Sequence, residues 1–299
     1  MDKSIQRGSL EMVAAMLISG TIGWLVMLSG QSVLDVVFWR CLFGALTLLV
    51  ICAAMGFLRP GILTRATFLL AVLSGVAIVG NWVLLFASYS RASISIGTAI
   101  YNVQPFMLVG LAALFLGEKI TAQKLAWLAV SFAGMLAIVS AHGGQGESGS
   151  DYLAGIALAL GAALLYAIAA LIIKRLSGVP PHLIALVQVT TGVLLLAPMA
   201  NLSSLPQGTE TWSILLTLGV IHTGVMYVLL YGAIQKLPTA MTGALSFIYP
   251  IAAIFVDWFA FGRQLELLQW AGVAAILVAA LGMQQGWGFS LRRAVQAES

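Results

Sequence analysis

Apolar residues fill this chain in ten blocks, each near the ~20 residues a helix needs to cross the hydrocarbon of a bilayer. The blocks span 9–29, 34–54, 67–88, 93–116, 122–140, 152–175, 182–200, 211–233, 239–260 and 267–286. Polar residues are confined to short connections. The longest, HGGQGESGSD from His142 to Asp151, has the composition of a flexible linker. The pattern predicts an all-α polytopic membrane protein with ten transmembrane helices.

The blocks repeat. Pro105 and Pro250 lie 145 positions apart, each in the middle of a span, and each is followed twelve residues later by a glycine, Gly117 and Gly262. The same offset pairs Trp82 with Tyr227 and Phe86 with Tyr231. Spans 4 and 9 match best, TAIYNVQPF (98–106) against GALSFIYPI (243–251), and spans 2 and 7 align through Gly44 and Gly192, which sets Arg40 opposite Gln188. The expected organisation is a first five-helix repeat (1–141), a linker (142–151), a second repeat (152–286) and a short tail (287–299). A five-span unit placed in tandem enters the membrane upside down the second time, so the two repeats are inverted. Inverted repeats with helices broken at mid-membrane are a mark of secondary transporters.

Charge adds orientation. Only 8% of the residues are charged and 61% are hydrophobic, against the ~25% charged residues of soluble domains. With the N-terminus inside, the inner ends carry Lys3, Arg7, Arg59, Arg65, Lys119, Lys124, Lys174, Arg175, Lys236, Arg292 and Arg293, and the outer ends only Arg91 and Arg263. This eleven-to-two bias obeys the positive-inside rule. It predicts both termini in the cytoplasm of a plasma (bacterial inner) membrane protein. Lys3 and Arg7 before an apolar stretch imitate a signal peptide. Met12 to Leu28 is longer than a signal core of about 7–15 residues and no A-x-A site follows, so it is expected to be a retained span.

Several chemistries are disfavoured. No G-x-x-x-x-G-K-[ST] loop is present, nor any H-E-x-x-H zinc motif. His142, His182 and His222 are isolated, and Cys41 and Cys52 lack metal-ligand spacing and read as packing residues. No catalytic residue, metal or cofactor is expected, and no basic run points to nucleic acid. The partners are a small-molecule substrate and the lipid bilayer, and the short loops, with no partner-binding domain, suit a monomer. An intramembrane enzyme is the alternative from another class, and a channel is a third, though no ring of charge or filter motif supports it.

Two five-helix halves, a proline midway along spans 4 and 9, and Leu116-Gly117-Glu118 followed by Ile120-Thr121 and a tryptophan-bearing span resemble the EamA-type drug/metabolite transporter (DMT) superfamily. The counterpart of Glu118 in the second half is Arg263, a departure from the pattern. The resemblance covers nearly the whole chain. It implies a cavity lined by spans 1, 3, 4, 6, 8 and 9, with spans 5 and 10 peripheral. The aromatic interior is similar to that of YddG-type amino-acid exporters. The implied function is secondary transport of small amphipathic metabolites, aromatic and hydrophobic amino acids leading, outward and by alternating access; other metabolites or drugs are the alternative cargo.

The candidate site follows from depth and helical phase. Tyr101, Gln104 and Pro105 fall at i, i+3 and i+4 on one face, and Ser246, Tyr249 and Pro250 repeat that spacing. A proline in mid-helix frees a carbonyl, which is tolerated where it meets protein, water or substrate. Asn81, Trp82 and Tyr227 are expected as walls, with Trp24 and Tyr166 as further aromatic faces; Trp24 equally suits an interfacial anchor. His222, halfway along span 8, either meets substrate or a proton, or bonds a neighbouring helix. Arg40, the one basic residue well inside a span, either pairs with Asp257 as an outer gate or snorkels outward while Asp257 pairs with Arg263. Pro105 and Pro250 are the expected hinges. Glu118 is expected to cap its helix or lie near the inner gate. The alanine ladders Ala129/Ala133/Ala137 and Ala271/Ala275/Ala279 allow close helix approach, inside the chain or between copies.

Overall fold

The structure is a computed structural model that describes residues 3–140, 150–261 and 267–287. Among these, all regular structure is helical: α1 (Lys3–Ser19), α2 (Ile22–Leu28), α3 (Val33–Ala54), α4 (Arg65–Tyr101), α5 (Gln104–Leu116), α6 (Ala122–Ser140), α7 (Ser150–Arg175), α8 (Pro181–Leu196), α9 (Thr209–Gly219), a π-helical turn (Val220–Val225), α10 (Met226–Lys236), α11 (Thr239–Ser246), α12 (Ile248–Phe261) and α13 (Leu267–Gln285). They assemble into the ten expected spans. Arg263 and the linker residues 142–149 lie outside the described residues.

Four spans differ from a plain reading of the apolar blocks. Span 1 is broken at Gly20–Thr21 between α1 and α2, and span 8 is interrupted by the π turn. The expected boundary between spans 3 and 4 is instead a helical run of 37 residues, α4. A straight helix of that length would measure ~55 Å. The run doubles back: a Cβ built on Gly97 would lie 2.7 Å from Ser88 Oγ and 3.2 Å from the Tyr89 ring, nine residues that a straight helix separates by ~13.5 Å. Span 3 therefore turns into span 4 without leaving helical hydrogen bonding.

The breaks in spans 4 and 9 are where the prolines dictate. A proline ring clashes with the carbonyl four residues earlier and supplies no N–H to it. Those residues are Tyr101 for Pro105 and Ser246 for Pro250, and they are the last residues of α4 and α11. Each helix stops there, and a new one begins two or three residues later.

Contacts between spans establish the inversion. Span 3 lies along span 6, with Gly80 against Leu165, Leu84 against Gly161 and Ala92 against Gly155. Rising numbers meet falling ones, so the two run antiparallel. Span 1 lies along span 8 in the same way, Gly8 against Lys236 and Glu11 against Gly232. Spans 1 and 3 share a direction within the first half, so span 1 and span 6, which open the two repeats, point oppositely.

Helices in a bilayer gain little from hydrophobic burial against one another, so close approach at small residues does the work. The paired glycines predicted from the repeat sit at equivalent contacts: Gly44 is against Thr223 and the Gly219 carbonyl of span 8, and Gly192 is against Val79 of span 3 and Cys41 of span 2. The alanine-rich faces of α6 and α13 pack on each other inside the chain, where a Cβ on Gly134 would lie 2.7 Å from the Gly272 carbonyl. Gly282 is covered by the Trp127 ring.

Candidate functional site

A cavity of about 80 Å³ lies between the two repeats. Eight of the ten residues expected to bind substrate line it: Asn81, Trp82, Tyr101, Gln104, Tyr166, Tyr227, Ser246 and Tyr249. Span 3 supplies the first two, the proline breaks of spans 4 and 9 supply Tyr101, Gln104, Ser246 and Tyr249, and spans 6 and 8 supply Tyr166 and Tyr227. Aromatic rings form much of the wall. Trp82 and Tyr227 stack edge-to-face at 5.3 Å between centroids, and Tyr101 and Tyr166 do so at 6.2 Å. Trp82 Nε1 donates to Tyr227 Oη at 2.7 Å. These are repeat mates, and two residues related by a two-fold axis touch each other only on that axis. The cavity wall therefore reaches the pseudo-symmetry axis of the molecule.

Polar atoms around the cavity are held unevenly. Asn81 Nδ2 donates to the Ala162 carbonyl at 2.7 Å, fixing span 3 to span 6. Ser246 Oγ donates back to the Gly243 carbonyl at 2.6 Å. Gln104 is 6% exposed, and its Oε1 has no hydrogen-bond partner among the described residues. A buried acceptor left unpaired costs ~1–3 kcal/mol, so this oxygen is the place in the wall most in need of a donor.

Arg40 was expected either at an outer gate or snorkelling; it does not snorkel. The side chain is 1% exposed and lines the cavity. Its Nε donates to Thr223 Oγ1 at 3.1 Å and its Nη2 to the His222 carbonyl at 3.3 Å, and its guanidinium lies 4.2 Å from the Trp82 ring centroid. The π turn explains this seat. Widening the helix from i+4 to i+5 bonding lets Thr223 Oγ1 donate to the Leu218 carbonyl five residues back, at 2.8 Å, while the hydroxyl oxygen accepts from Arg40. π-bulges of this kind occur often at functional sites. The side chain of Asp257, its proposed gate partner, lies outside the described residues.

His222 and Trp24 stand apart from the cavity wall. His222 is buried, with Nε2 2.6 Å from Thr21 Oγ1 and Nδ1 3.2 Å from the Thr217 carbonyl. Thr21 belongs to the break in span 1, so the imidazole ties that break to span 8. Of the two sequence readings for His222, the helix-to-helix bond is the one realised in this structure. Trp24 is 37% exposed, on an outward face of α2. The cavity takes Ile22 and Gly23 from that helix instead. Pro105 also sits behind the wall, against Gly243 of span 9; Pro250 is buried.

The Leu116-Gly117-Glu118 end of span 4 has a plain geometry. Gly117 takes φ 67°, a left-handed turn open to glycine, and the Glu118 N–H returns to the Ala112 carbonyl at 3.3 Å. This turn aims Glu118 at Lys174 Nζ, 2.8 Å away on span 6, and at Thr239 Oγ1, 2.7 Å away at the start of span 9. Burial would raise the Glu118 pKa, but the bonds from Lys174 and Thr239 together outweigh it and hold the carboxyl below its usual range. On the same end, Lys236 Nζ meets Glu11 Oε2 at 2.5 Å, joining span 8 to span 1. Both pairs tie one repeat to the other at the end rich in lysine and arginine.

Sequence reasoning missed Ser74 and Gln188. Gln188, the repeat mate of Arg40, donates from Nε2 to Ser74 Oγ at 2.7 Å and accepts a hydrogen bond from the Tyr231 hydroxyl. As Arg40 ties span 2 to span 8, Gln188 ties span 7 to span 3 and to span 8. The alignment of Arg40 with Gln188 was the signal that could have found it.

This architecture, ten spans in two inverted repeats around an axial cavity, is that of a membrane transporter. The model of the EamA-like transporter family matches residues 6–140 and again 153–284, and the chain belongs to that family. Similar proteins carry transporter names. YxxF of Bacillus subtilis, an uncharacterized transporter, is 28% identical over 270 residues, covering 89% of this chain and 86% of its own. An uncharacterized transporter of Archaeoglobus fulgidus is 25% identical over 280 residues, covering 93% and 97%. A solved crystal structure with 18% identity and a TM-score of 0.79 covers 91% of this chain and 96% of its own, and it shares the fold.

Proposed function

We propose that this transporter is a secondary carrier that moves small amphipathic metabolites, aromatic and other hydrophobic amino acids first, out of the cell through the axial cavity. The observation that carries this reading is the aromatic wall on the pseudo-two-fold axis, with Trp82 and Tyr227 in contact and Tyr101, Tyr166 and Tyr249 around them. Rings set edge-to-face suit planar or apolar side chains. The units 1–141 and 152–286 would rock against one another about this centre, with the breaks before Pro105 and Pro250 taking up the bend.

The ion pairs Glu118–Lys174 and Glu11–Lys236 latch the basic end. The eleven-to-two bias in lysine and arginine supports a cytoplasmic position for that end and for both termini, in the plasma membrane. The arrangement corresponds to a carrier closed toward the cytoplasm. Its cavity is small for a whole aromatic amino acid, so loading requires the halves to separate.

The test is flux in proteoliposomes with a panel of amino acids, amines and neutral solutes, run with and without a pH gradient. Saturable movement of aromatic or hydrophobic amino acids supports the reading. Saturable movement only of unrelated solutes would sink the cargo assignment, and chemical turnover without translocation would sink the carrier itself.

A further inference from the structure

The cavity contains a charge that no described carboxylate neutralises. Arg40 is buried and lines the cavity, and no described carboxylate pairs with it. Its Nε and Nη2 are held by Thr223 and the His222 carbonyl, both neutral, and Nη1 has no hydrogen-bond partner among the described residues. The face of Trp82 lies against the guanidinium. An arginine this deep in a membrane is costly, and such residues mark substrate paths when they face a cavity. Two of its nitrogens are fixed by the π turn, so the fork is oriented before any ligand arrives. A guanidinium in that condition favours a carboxylate, which it meets through parallel N–H donors.

The same cavity has the opposite need at Gln104. The Oε1 atom is buried without a donor, on a residue 94% buried at the break of span 4. An ammonium group supplies the missing N–H.

We propose that Arg40 is the carboxylate anchor of the cavity and Gln104 Oε1 the acceptor for an ammonium group, so that the site selects zwitterionic α-amino acids over amines. This rests on the carrier reading and assigns the two polar ends of its substrate. The apolar side chain then lies against the tyrosines. A cation without a carboxylate meets a positive wall and is repelled. Arg40 thus sets specificity from within the cavity.

The experiment measures binding to the purified full-length protein, by tryptophan fluorescence and by thermal shift. Three probes share one ring: phenylalanine, 3-phenylpropionate without the amine, and phenethylamine without the carboxylate. The expected order is phenylalanine, then phenylpropionate, with phenethylamine far weaker. Arg40→Gln is expected to weaken both acids by about 10- to 100-fold, the range for a hydrogen bond to a charged group, and to leave phenethylamine no weaker. Gln104→Leu is expected to weaken phenylalanine and spare phenylpropionate. If Arg40→Gln does not fold, Arg40→Lys keeps the charge but loses the fork, and it is expected to weaken both acids while restoring neither to wild-type affinity.

Phenethylamine binding as tightly as the acids overturns the proposal, as does unchanged acid affinity in the Arg40 variants. Saturable flux of some other solute, with neither acid bound, overturns it too while leaving the carrier reading in place. Absence of any carrier flux with both acids bound would sink the carrier reading and leave the anchor standing.

Discussion

Trp82 donates its indole N–H to the Tyr227 hydroxyl at 2.7 Å, across a separation of 145 residues that equals the repeat offset. The contact places these mates on the axis that relates the halves. Removing either polar atom, by Trp82→Phe or Tyr227→Phe, is expected to cost about 1 kcal/mol. Because the bond is shared, the double variant should cost less than the sum of the singles. A double-mutant cycle on thermal unfolding in detergent checks this; strict additivity would mean that the two groups are not coupled.

The prolines end α4 and α11 at the carbonyls they cannot satisfy, Tyr101 and Ser246. Pro105→Ala and Pro250→Ala restore a donor and remove a clash, which favours a straighter helix. Slower transport is expected, seen in the maximal rate more than in the substrate concentration for half-maximal rate. A maximal rate unchanged in both variants would show that the breaks are not hinges.

Span 2 and span 8 meet backbone to backbone at Gly219, where a Cβ would lie 2.3 Å from Phe43 Cβ and 3.1 Å from the Gly44 nitrogen. Backbone gives way poorly, so Gly219→Ala should destabilise the fold by about 1–3 kcal/mol. Gly110→Ala, where nothing lies within 4 Å, is the control and should leave the melting temperature near wild type.

Glu118 ties span 4 to spans 6 and 9 with a depressed pKa, the bonds from Lys174 and Thr239 outweighing burial. A carboxylate whose folded pKa is depressed contributes stability above its unfolded pKa and loses it as pH falls through the folded value. The latch is therefore complete at neutral pH and weakens only in acid, below the ordinary value of 4.5. Glu118→Gln should loosen the basic end at neutral pH and remove that acid dependence. The readout is labelling of Ser246→Cys by a membrane-impermeant thiol reagent from the basic side, corrected for the buried native Cys41 and Cys52. Equal labelling with and without Glu118→Gln would contradict the latch.

Much of this was legible in the sequence because bilayers impose few, strong constraints. Apolar length fixed the spans, the proline offset exposed the duplication, and i, i+3, i+4 spacing put Tyr101 with Gln104 and Ser246 with Tyr249 on the cavity face. The misses share a cause. The break at Gly20–Thr21, the π turn around His222 and the helical reversal after Tyr89 do not alter hydropathy. They depend on which helix lies alongside. His222 illustrates the point: depth left substrate and a neighbouring helix equally open, and the break in span 1 supplied Thr21 as its partner. Arg40 is the converse, since its burial required a seat in span 8 that no local pattern announces.

The central claim is that one axial cavity between the halves carries the substrate. Counterflow of labelled phenylalanine in proteoliposomes tests it most directly, comparing wild type with Tyr101→Ala and Tyr249→Ala at equal incorporation. The account predicts saturable exchange stimulated by unlabelled substrate on the far side, reduced at least about tenfold in each variant, as for loss of one good aromatic contact at ~1.5 kcal/mol. Exchange that persists at the wild-type rate in both variants, or flux that rises linearly without saturation, would contradict it.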